Sequence, residues 1–101
     1  MADHTIKLYK TGPIPPSQPC DPGDQIFFQN AETNVSLYIV FPPPPCFTPP
    51  ASSQVIHPIT SIGPFNVARG KKRSPYIYAW IGMEMGEEIA DGTQSGTIDV
   101  S

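Results

Sequence analysis

Thioether and imidazole side chains are the groups in this chain best suited to bind a soft metal ion. Met83 and Met85 are two positions apart, and His4 and His57 are the two histidines of the sequence. Thioether sulfur is a soft ligand, so a Met-x-Met pair completed by a distant histidine could hold Cu(I). Packing by flexible methionine side chains is the alternative. The sequence favours packing, and we expect no bound metal and no cofactor.

The two cysteines, Cys20 and Cys46, are candidates for a disulfide. Both lie in proline-rich connections, and an even number of cysteines in a small, loop-rich chain is typical of a disulfide. The bond would close a loop of about 27 residues. The resulting loss of chain entropy in the unfolded state would stabilise the fold by about 3.5 kcal/mol. Two buried thiols without a bond are the alternative. We expect the disulfide and therefore an oxidising location, periplasmic or secreted, although residues 1–5 lack the basic start and apolar middle of a signal peptide.

Nucleophilic catalysis would need a serine or cysteine close to a histidine and an acid. Two histidines permit such a triad, but the sequence has no Gly-x-Ser-x-Gly elbow. It also has no glycine-rich phosphate loop of either standard spacing. We therefore expect that the protein is not an enzyme, and a small hydrolase is the weakest of the functional hypotheses.

A proline tract between two aromatic residues is the best candidate for a partner-binding segment. Phe41 is followed by four prolines, with Pro43 and Pro44 at their centre, and Phe47 lies just beyond them. Such a run favours polyproline II, which is already ordered and loses little entropy on docking. A rigid crossover that prevents edge-to-edge aggregation is the alternative.

Charge is concentrated in two segments of the C-terminal half. Four of the six positive residues are Arg69, Lys71, Lys72 and Arg73, and four of the nine negative residues are Glu84, Glu87, Glu88 and Asp91. This polarity could orient the protein on a charged protein partner or on another copy of itself, and two solvated turns are the alternative. The net charge of −3 disfavours a nucleic acid partner. No apolar run reaches the ~20 residues of a membrane span.

Length and patterning indicate a single all-β domain over residues 1–101. The chain is rich in proline and poor in charge, as disordered chains can be, but its aromatic and β-branched residues cluster in short runs. The runs that predict strands are 5–10, 25–29, 36–41, 55–59, 65–67, 76–81 and 97–100. Between them, 11–21 is predicted as an extended connection or an edge, and 82–96 as mostly turn and loop. About seven strands without long helices favour a sandwich or a barrel.

The core is predicted from the inward positions of these runs. It should include Ile6, Leu8, Ile26, Phe28, Leu37, Ile39, Phe41, Val67, Tyr78, Trp80, Ile98 and Val100.

Several of these segments together resemble the cupredoxin family. Pro22-Gly23-Asp24 precedes a strand that ends in Asn30, and the following strand ends in Ile39-Val40-Phe41. Near the C-terminus, the aromatic strand 76–78 and the segment 96–100 complete the pattern. The resemblance implies a cupredoxin-like Greek-key β-sandwich. An immunoglobulin-like sandwich is the alternative, because the number of strands suits both.

The copper ligands that the resemblance implies are missing. A type 1 copper site uses a thiolate, two imidazoles and usually an axial methionine. The family's first histidine would fall about two residues before the Ile-Val-Phe stretch, where this chain has Leu37, and neither Cys nor His occurs after His57. We therefore expect a non-catalytic binding or assembly module that lacks a type 1 copper site. A copper-handling or electron-transfer protein with a non-standard site at Met83 and Met85 is the alternative.

Overall fold

Nine β-strands make up most of the described part of the chain. A computed structural model of the protein describes residues 2–9, 11–42, 46–48, 52–68, 76–84 and 87–100, with the backbone alone at 83, 84 and 87–93. The strands are β1 (Asp3–Tyr9), β2 (Gly12–Ile14), β3 (Ser17–Cys20), β4 (Gln25–Asn30), β5 (Ser36–Val40), β6 (Gln54–Ile56), β7 (Ser61–Asn66), β8 (Tyr76–Glu84) and β9 (Glu87–Val100). The predicted all-β class is confirmed, and these residues contain nine strands rather than about seven.

The strands form two sheets that face each other. One sheet has the order β2-β1-β4-β7 and the other β3-β9-β8-β5-β6. Two pairs are parallel, β1 with β4 and β3 with β9, and the remaining neighbours are antiparallel. The chain crosses between the sheets repeatedly, which is the connectivity of a Greek-key β-sandwich.

Alternation along the strands builds the core between the two sheets. In β4, Ile26 and Phe28 are fully buried, while Gln25, Phe27 and Gln29 on the other face are partly exposed. Eleven of the twelve predicted core residues are buried, and Phe41 is half-buried and packs against them. Each such aliphatic or aromatic side chain contributes about 1.5–3 kcal/mol on burial.

The long hairpin of β8 and β9 contradicts the prediction of turn and loop for 82–96. Glu84 and Glu87 are opposite each other in the ladder, and the pairing continues to Tyr76 and Ile98. Residues with low strand propensity, such as glycine and glutamate, are held here by their ladder partners, because preference for a strand depends on its neighbours.

The proline-rich segment 11–21 contains two short edge strands. β2 is an edge of the four-stranded sheet and β3 an edge of the five-stranded sheet. Pro13 and Pro19 have no N–H for a second ladder partner, so proline fits an edge strand and not a central one. The predicted edge is therefore confirmed.

The predicted disulfide between Cys20 and Cys46 is wrong, because both residues are buried thiols with no bond between them. Cys20 is placed by its pairing with Val100 in the ladder of β3 and β9. The carbonyl of Cys46 accepts a hydrogen bond of 2.7 Å from the Ala68 amide. Each cysteine is thus positioned by backbone pairing, and the argument for an oxidising compartment loses its premise.

The register of the strands gives the sandwich two distinct ends. The hairpin end is where β8 stops at Glu84 and β9 begins at Glu87. The opposite end, called the base below, is where β8 begins at Tyr76 and β9 finishes at Val100.

Candidate functional site

An open cleft lies at the base of the sandwich. It is shallow, with room for about one water-sized group, and the roughly 230 Å³ of space between and in front of its walls includes open solvent. The residues that line it are Phe41, Pro42, Cys46, Phe47, Tyr76, Ile77, Tyr78 and Ile98. The lining is apolar and aromatic, which is typical of a surface that receives an apolar side chain.

The cleft exists because β5 is shorter than its neighbour β8. The last ladder pair between the two strands joins Val40 to Ala79. Beyond it, Pro42 cannot donate a ladder hydrogen bond, so the chain leaves the sheet. Among the described residues, 76–78 of β8 then pair with β9 and not with β5.

An aromatic cluster forms one wall of the cleft. Ring centroids lie 5.5 Å apart for Phe28 and Phe41, 5.7 Å for Phe41 and Phe47, and 5.0 Å for Phe28 and Tyr78. These separations lie within the range of favourable tilted and edge-to-face aromatic pairs. Phe47 is buried and Phe41 half-buried, so Phe41 is the ring with more surface available to a partner.

The described residues that flank both predicted contact segments meet at this cleft. The proline tract lies between Pro42 and Cys46, which both line the cleft. The basic segment, residues 69–73, lies in the sequence between Ala68 and Tyr76. The Ala68 amide donates to the carbonyl of Cys46, and Tyr76 lines the cleft. The remaining predicted contact residues lie outside the described part of the chain: Pro43, Pro44, Arg69, Lys71, Lys72 and Arg73.

A hydrogen-bonded network around Asp24 fixes the base beside the cleft. The Asp24 carboxylate accepts bonds from the amides of Ala2 and Asp21, both at 2.9 Å, and from His4 Nε2 at 2.8 Å. Gln18 Nε2 lies 3.1 Å from His4 Nδ1 and donates to it. A carboxylate only accepts hydrogen bonds, so His4 Nε2 is the donor in its contact with Asp24.

The hydrogen bonds to Asp24 lower the pKa of its carboxyl from 3.8 to about 2. The Asp21 amide makes the largest contribution, followed by His4 and the Ala2 amide. Donors that bond to the charged form favour it over the neutral acid. Asp24 is therefore a charged structural anchor at neutral pH and not a proton donor.

The Cys20 thiol is unsuited to metal binding or nucleophilic chemistry. Burial, together with the nearby negative charges of Asp24, Asp21 and Asp99, raises the pKa of this thiol from 9.0 to about 11. The thiolate is the reactive and metal-binding form. At neutral pH Cys20 is protonated.

The described thiols and imidazoles lie at different places in the sandwich. Cys20 pairs with Val100 at the base, whereas His57 follows β6 at the hairpin end. His4 is engaged by Asp24. Across the described residues there is no group of three or more His, Cys, Asp and Glu side chains placed to hold a metal ion. A thiolate and two imidazoles do not converge anywhere in this set.

The predicted Met/His site falls partly outside the described residues. Met83 is opposite Ser36 in the ladder of β5 and β8, and Ile56 is opposite Leu37 in the ladder of β5 and β6. His57 follows Ile56, so it and Met83 flank the beginning of β5 at the hairpin end. Met85 lies outside the described part of the chain.

Sequence reasoning found Phe41 and Phe47 but missed most of the cleft. Tyr76, Ile77 and Ile98 were treated as strand residues, because nothing local shows that β5 stops short beside them. The proline that follows Phe41 at position 42 was the available signal. It marks the point where the neighbouring strand loses its partner.

Two buried polar atoms near the core also escaped prediction. Tyr78 Oη and Trp80 Nε1 have no hydrogen-bond partner among the described residues. Burial raises the pKa of the Tyr78 hydroxyl well above its ordinary value. Tyr78 is therefore a neutral packing group in the cleft wall.

Comparison with known proteins supports the fold and no more. No family model matches the chain, and no curated protein matches it. Among solved structures, a pseudoazurin from Sinorhizobium meliloti is similar with a TM-score of 0.52 and 13% sequence identity, covering 100% of this chain and 75% of that one. The predicted cupredoxin-like β-sandwich is confirmed.

No helix long and apolar enough to cross a bilayer occurs among the residues that the structure describes.

Proposed function

We propose that the protein is a non-catalytic binding or assembly module that uses a cupredoxin-like fold without a type 1 copper site. The observation that carries the proposal is the cleft at the base. Its lining includes both residues that flank the predicted proline contact segment and one residue that follows the basic segment. The site is therefore an apolar cleft with positive charge nearby in the chain.

The chemistry of this site suits a protein partner with an apolar side chain beside acidic residues. Full burial of an apolar side chain contributes about 1.5–3 kcal/mol, and packing against this shallow, open cleft would contribute a part of that. The basic residues Arg69, Lys71, Lys72 and Arg73 add electrostatic attraction and raise the rate of association. The chain has a net charge of −3, so the basic segment differs in sign from the protein as a whole. An acidic partner would therefore bind preferentially in the orientation that faces this segment.

The cysteine and histidine content of the chain supports a role without type 1 copper. The resemblance to cupredoxins would require a cysteine and a histidine after the aromatic strand, and the sequence has neither beyond His57. The proposal that the protein is not an enzyme is supported by the two candidate groups that the structure describes near the base of the sandwich. Cys20 is held protonated and His4 is bonded to Asp24.

Affinity capture with matched variants tests the proposal. The wild-type chain, a Phe41→Ala variant and a Lys71→Glu/Lys72→Glu variant are immobilised and exposed to extract from the organism that makes the protein. A Lys7→Glu variant is the control, because Lys7 is exposed on β1 in the other sheet. We expect one partner to be retained by wild type and Lys7→Glu and lost from the other two. Identical sets of retained proteins on all four would contradict a binding role for the base.

Copper handling is the second candidate, and one observation favours it. Met83 and His57 both flank the start of β5, which places a thioether residue and an imidazole residue two strand spacings apart, or about 10 Å between backbones. Anaerobic Cu(I) titration of wild type and a His57→Ala variant distinguishes the candidates. Stoichiometric Cu(I) binding by wild type that is lost in His57→Ala would support copper handling. If wild type binds no Cu(I) above background, copper handling is excluded.

A periplasmic or secreted location stays a prediction. Its original premise was the disulfide, which the structure does not contain. Fractionation of cells that express the full natural gene, with the protein followed by immunoblotting, provides the test. We expect the protein outside the cytoplasm, and recovery in the cytoplasmic fraction would contradict this.

A further inference from the structure

Ile59 has a backbone conformation that its own side chain disfavours. Its φ is 60°, and it is the one non-glycine residue with a positive φ in the part of the chain that the structure describes. A branched Cβ crowds the backbone in this left-handed region, so β-branched residues are rarely found there. Glycine and asparagine adopt this conformation more readily.

The turn that contains Ile59 requires a positive φ at this position. The Thr60 amide donates to the carbonyl of His57 at 3.2 Å, and the Thr60 hydroxyl donates to the same carbonyl at 2.7 Å. Pro58 at the second position of the turn and a positive φ at the third are features of a type II turn. This turn type favours glycine or asparagine at the position of Ile59.

Hydrogen bonds to a second segment hold the turn at the hairpin end. The Ile59 amide donates to the carbonyl of Glu32 at 3.2 Å, and the Asn30 amide donates to the carbonyl of Thr60 at 2.9 Å. β4 runs from the Asp24 network at the base to Asn30, so these contacts lie at the opposite end of the sandwich. The positive φ of Ile59 is therefore imposed by the backbone around it and not by its side chain.

Packing within the protein does not account for the isoleucine. The Ile59 side chain is 54% exposed. Among the described residues, it belongs neither to the buried core nor to the partly buried apolar residues packed against that core. Ile14, Val55 and Ile77 are similarly exposed, but they lie in β2, β6 and β8, where an extended backbone suits their side chains. Of these four residues, Ile59 alone combines an exposed apolar side chain with an unfavourable backbone.

The two segments that meet at Ile59 are polar and carry little charge. Residues 30–34 and 57–61 contain one acidic residue, Glu32, and no lysine or arginine. Their exposed residues other than Ile59 are Thr33, Asn34, His57, Thr60 and Ser61. An exposed apolar side chain within a polar rim is typical of an anchor residue in a protein–protein interface. The lack of basic side chains in these segments disfavours nucleic acid and anionic lipid as partners.

We propose that Ile59 is the anchor of a second protein-binding surface and inserts into an apolar pocket of its partner. This turn surface consists of residues 57–60 and the adjoining residues 32–34. Strained backbone persists mainly where function requires it, although it reduces stability. The inference goes beyond the proposed function, because the turn surface lies at the other end of the sandwich from the cleft. Two such surfaces let one chain bridge two proteins, as an assembly module does.

Thermal unfolding tests whether Ile59 is retained for a reason other than stability. Ile59→Gly removes the crowding at Cβ, so its midpoint should lie above that of Ile59→Ala by about 4 °C. Ile59→Ala should stay within about 4 °C of wild type, because the side chain packs against little. A larger fall would identify Ile59 as a packing residue and overturn the proposal, as would a midpoint of Ile59→Gly at or below that of Ile59→Ala.

Thr33 provides the matched control for the backbone argument. It is exposed in the same surface and does not have a positive φ. Thr33→Gly should therefore unfold at or below the midpoint of Thr33→Ala, because glycine loses more conformational freedom on folding. If glycine exceeds alanine equally at both positions, the gain at position 59 is not relief of strain, and the argument from strain is overturned.

Binding measurements with the same chain test the anchor role. A protein retained by immobilised wild type from extract of the producing organism is identified, purified and titrated against each variant. Its dissociation constant should rise about tenfold or more for Ile59→Gly and stay within about threefold for Ile59→Val, which keeps a β-branched apolar side chain. Ile14→Ala is the control, because Ile14 is 60% exposed on β2. Since Ile59→Gly is expected to be the more stable chain, its loss of binding would not reflect unfolding.

Three results would overturn the proposal. The first is that no retained protein distinguishes Ile59→Gly from Ile14→Ala. The second is that wild type and Ile14→Ala bind phosphatidylcholine vesicles while Ile59→Gly does not, which would make the partner a lipid surface. The third is that the protein retained through Ile59 is also lost from Phe41→Ala, which would make the cleft and the turn surface one site. A partner lost from Ile59→Gly and kept by Phe41→Ala supports the proposal even if the cleft binds nothing.

Discussion

Asn30 is a buried polar residue whose side chain joins separate parts of the sandwich by hydrogen bonds. Its side chain is fully buried, and its Nδ2 donates to the carbonyls of Val35 and Ile56 at 2.7 and 3.0 Å. Its Oδ1 accepts from the Glu32 amide at 2.9 Å. One side chain thus closes the connection after β4 and ties it to β6. The sequence analysis placed Asn30 at the end of a strand, but the two carbonyl partners of its Nδ2 are 5 and 26 positions away, so its role could not be predicted locally.

Removal of this side chain should destabilise the fold strongly. An Asn30→Ala variant leaves buried backbone groups without their partner, and we expect a loss of about 2–4 kcal/mol in the free energy of unfolding. Asn34→Ala is the control, because Asn34 is exposed in the same connection, and it should change stability by less than about 0.5 kcal/mol. Urea unfolding measures both. Similar stabilities for the two variants would contradict the role assigned to Asn30.

Asp24 should make stability depend on acidic pH. Its folded pKa of about 2 lies below the ordinary 3.8, so its contribution is fully present above about pH 4 and disappears as the pH falls through about 2. An Asp24→Asn variant lacks this contribution. The difference in unfolding free energy between wild type and variant should therefore shrink from pH 5 to pH 2. A difference that stays constant over this range would show that the charge of Asp24 does not stabilise the base; exposed Asp3→Asn serves as the control.

Strands could be predicted from the sequence where apolar and polar side chains alternate. They could not be predicted where pairing with a neighbouring strand determines the conformation. β4 and β5 follow from the apolar alternation of Ile26, Phe28, Leu37 and Ile39. β9 does not, because eight of its first ten residues are glycine, acidic or polar, and these ten pair along β8. The cleft has the same origin, because the pairing of β5 with β8 stops at Ala79, three residues from the end of β8 at Tyr76. Pairing at long range was the missing information in both cases.

Gly96 in β9 gives a prediction at this scale. A Cβ at this position would overlap the hydroxyl end of the Tyr78 ring and lie 2.9 Å from Pro13 Cγ. Gly96→Ala should therefore cost about 1–3 kcal/mol of stability through overpacking. Ser95→Ala, at the neighbouring exposed position, should be nearly neutral. Thermal unfolding compares the two, and an unchanged midpoint for Gly96→Ala would mean that Tyr78 moves aside freely.

At the scale of the whole molecule, the fold is a cupredoxin-like β-sandwich, and the lack of a type 1 copper site is the proposal that goes with it. The resemblance of short segments was enough to predict the sandwich, and a pseudoazurin with 13% sequence identity has a similar fold. The candidate site was predicted only in outline, through Phe41, Phe47 and the basic segment. Where those parts meet depends on which end of the sandwich each strand reaches, and the sequence does not show this directly.

Absorption spectroscopy after addition of one equivalent of Cu(II) tests the central claim most directly. A cupredoxin framework without a converging thiolate and two imidazoles should give no intense visible charge-transfer band, and the copper should be removed by desalting. A strong band in the visible range, retained with one copper per chain after desalting, would contradict this account.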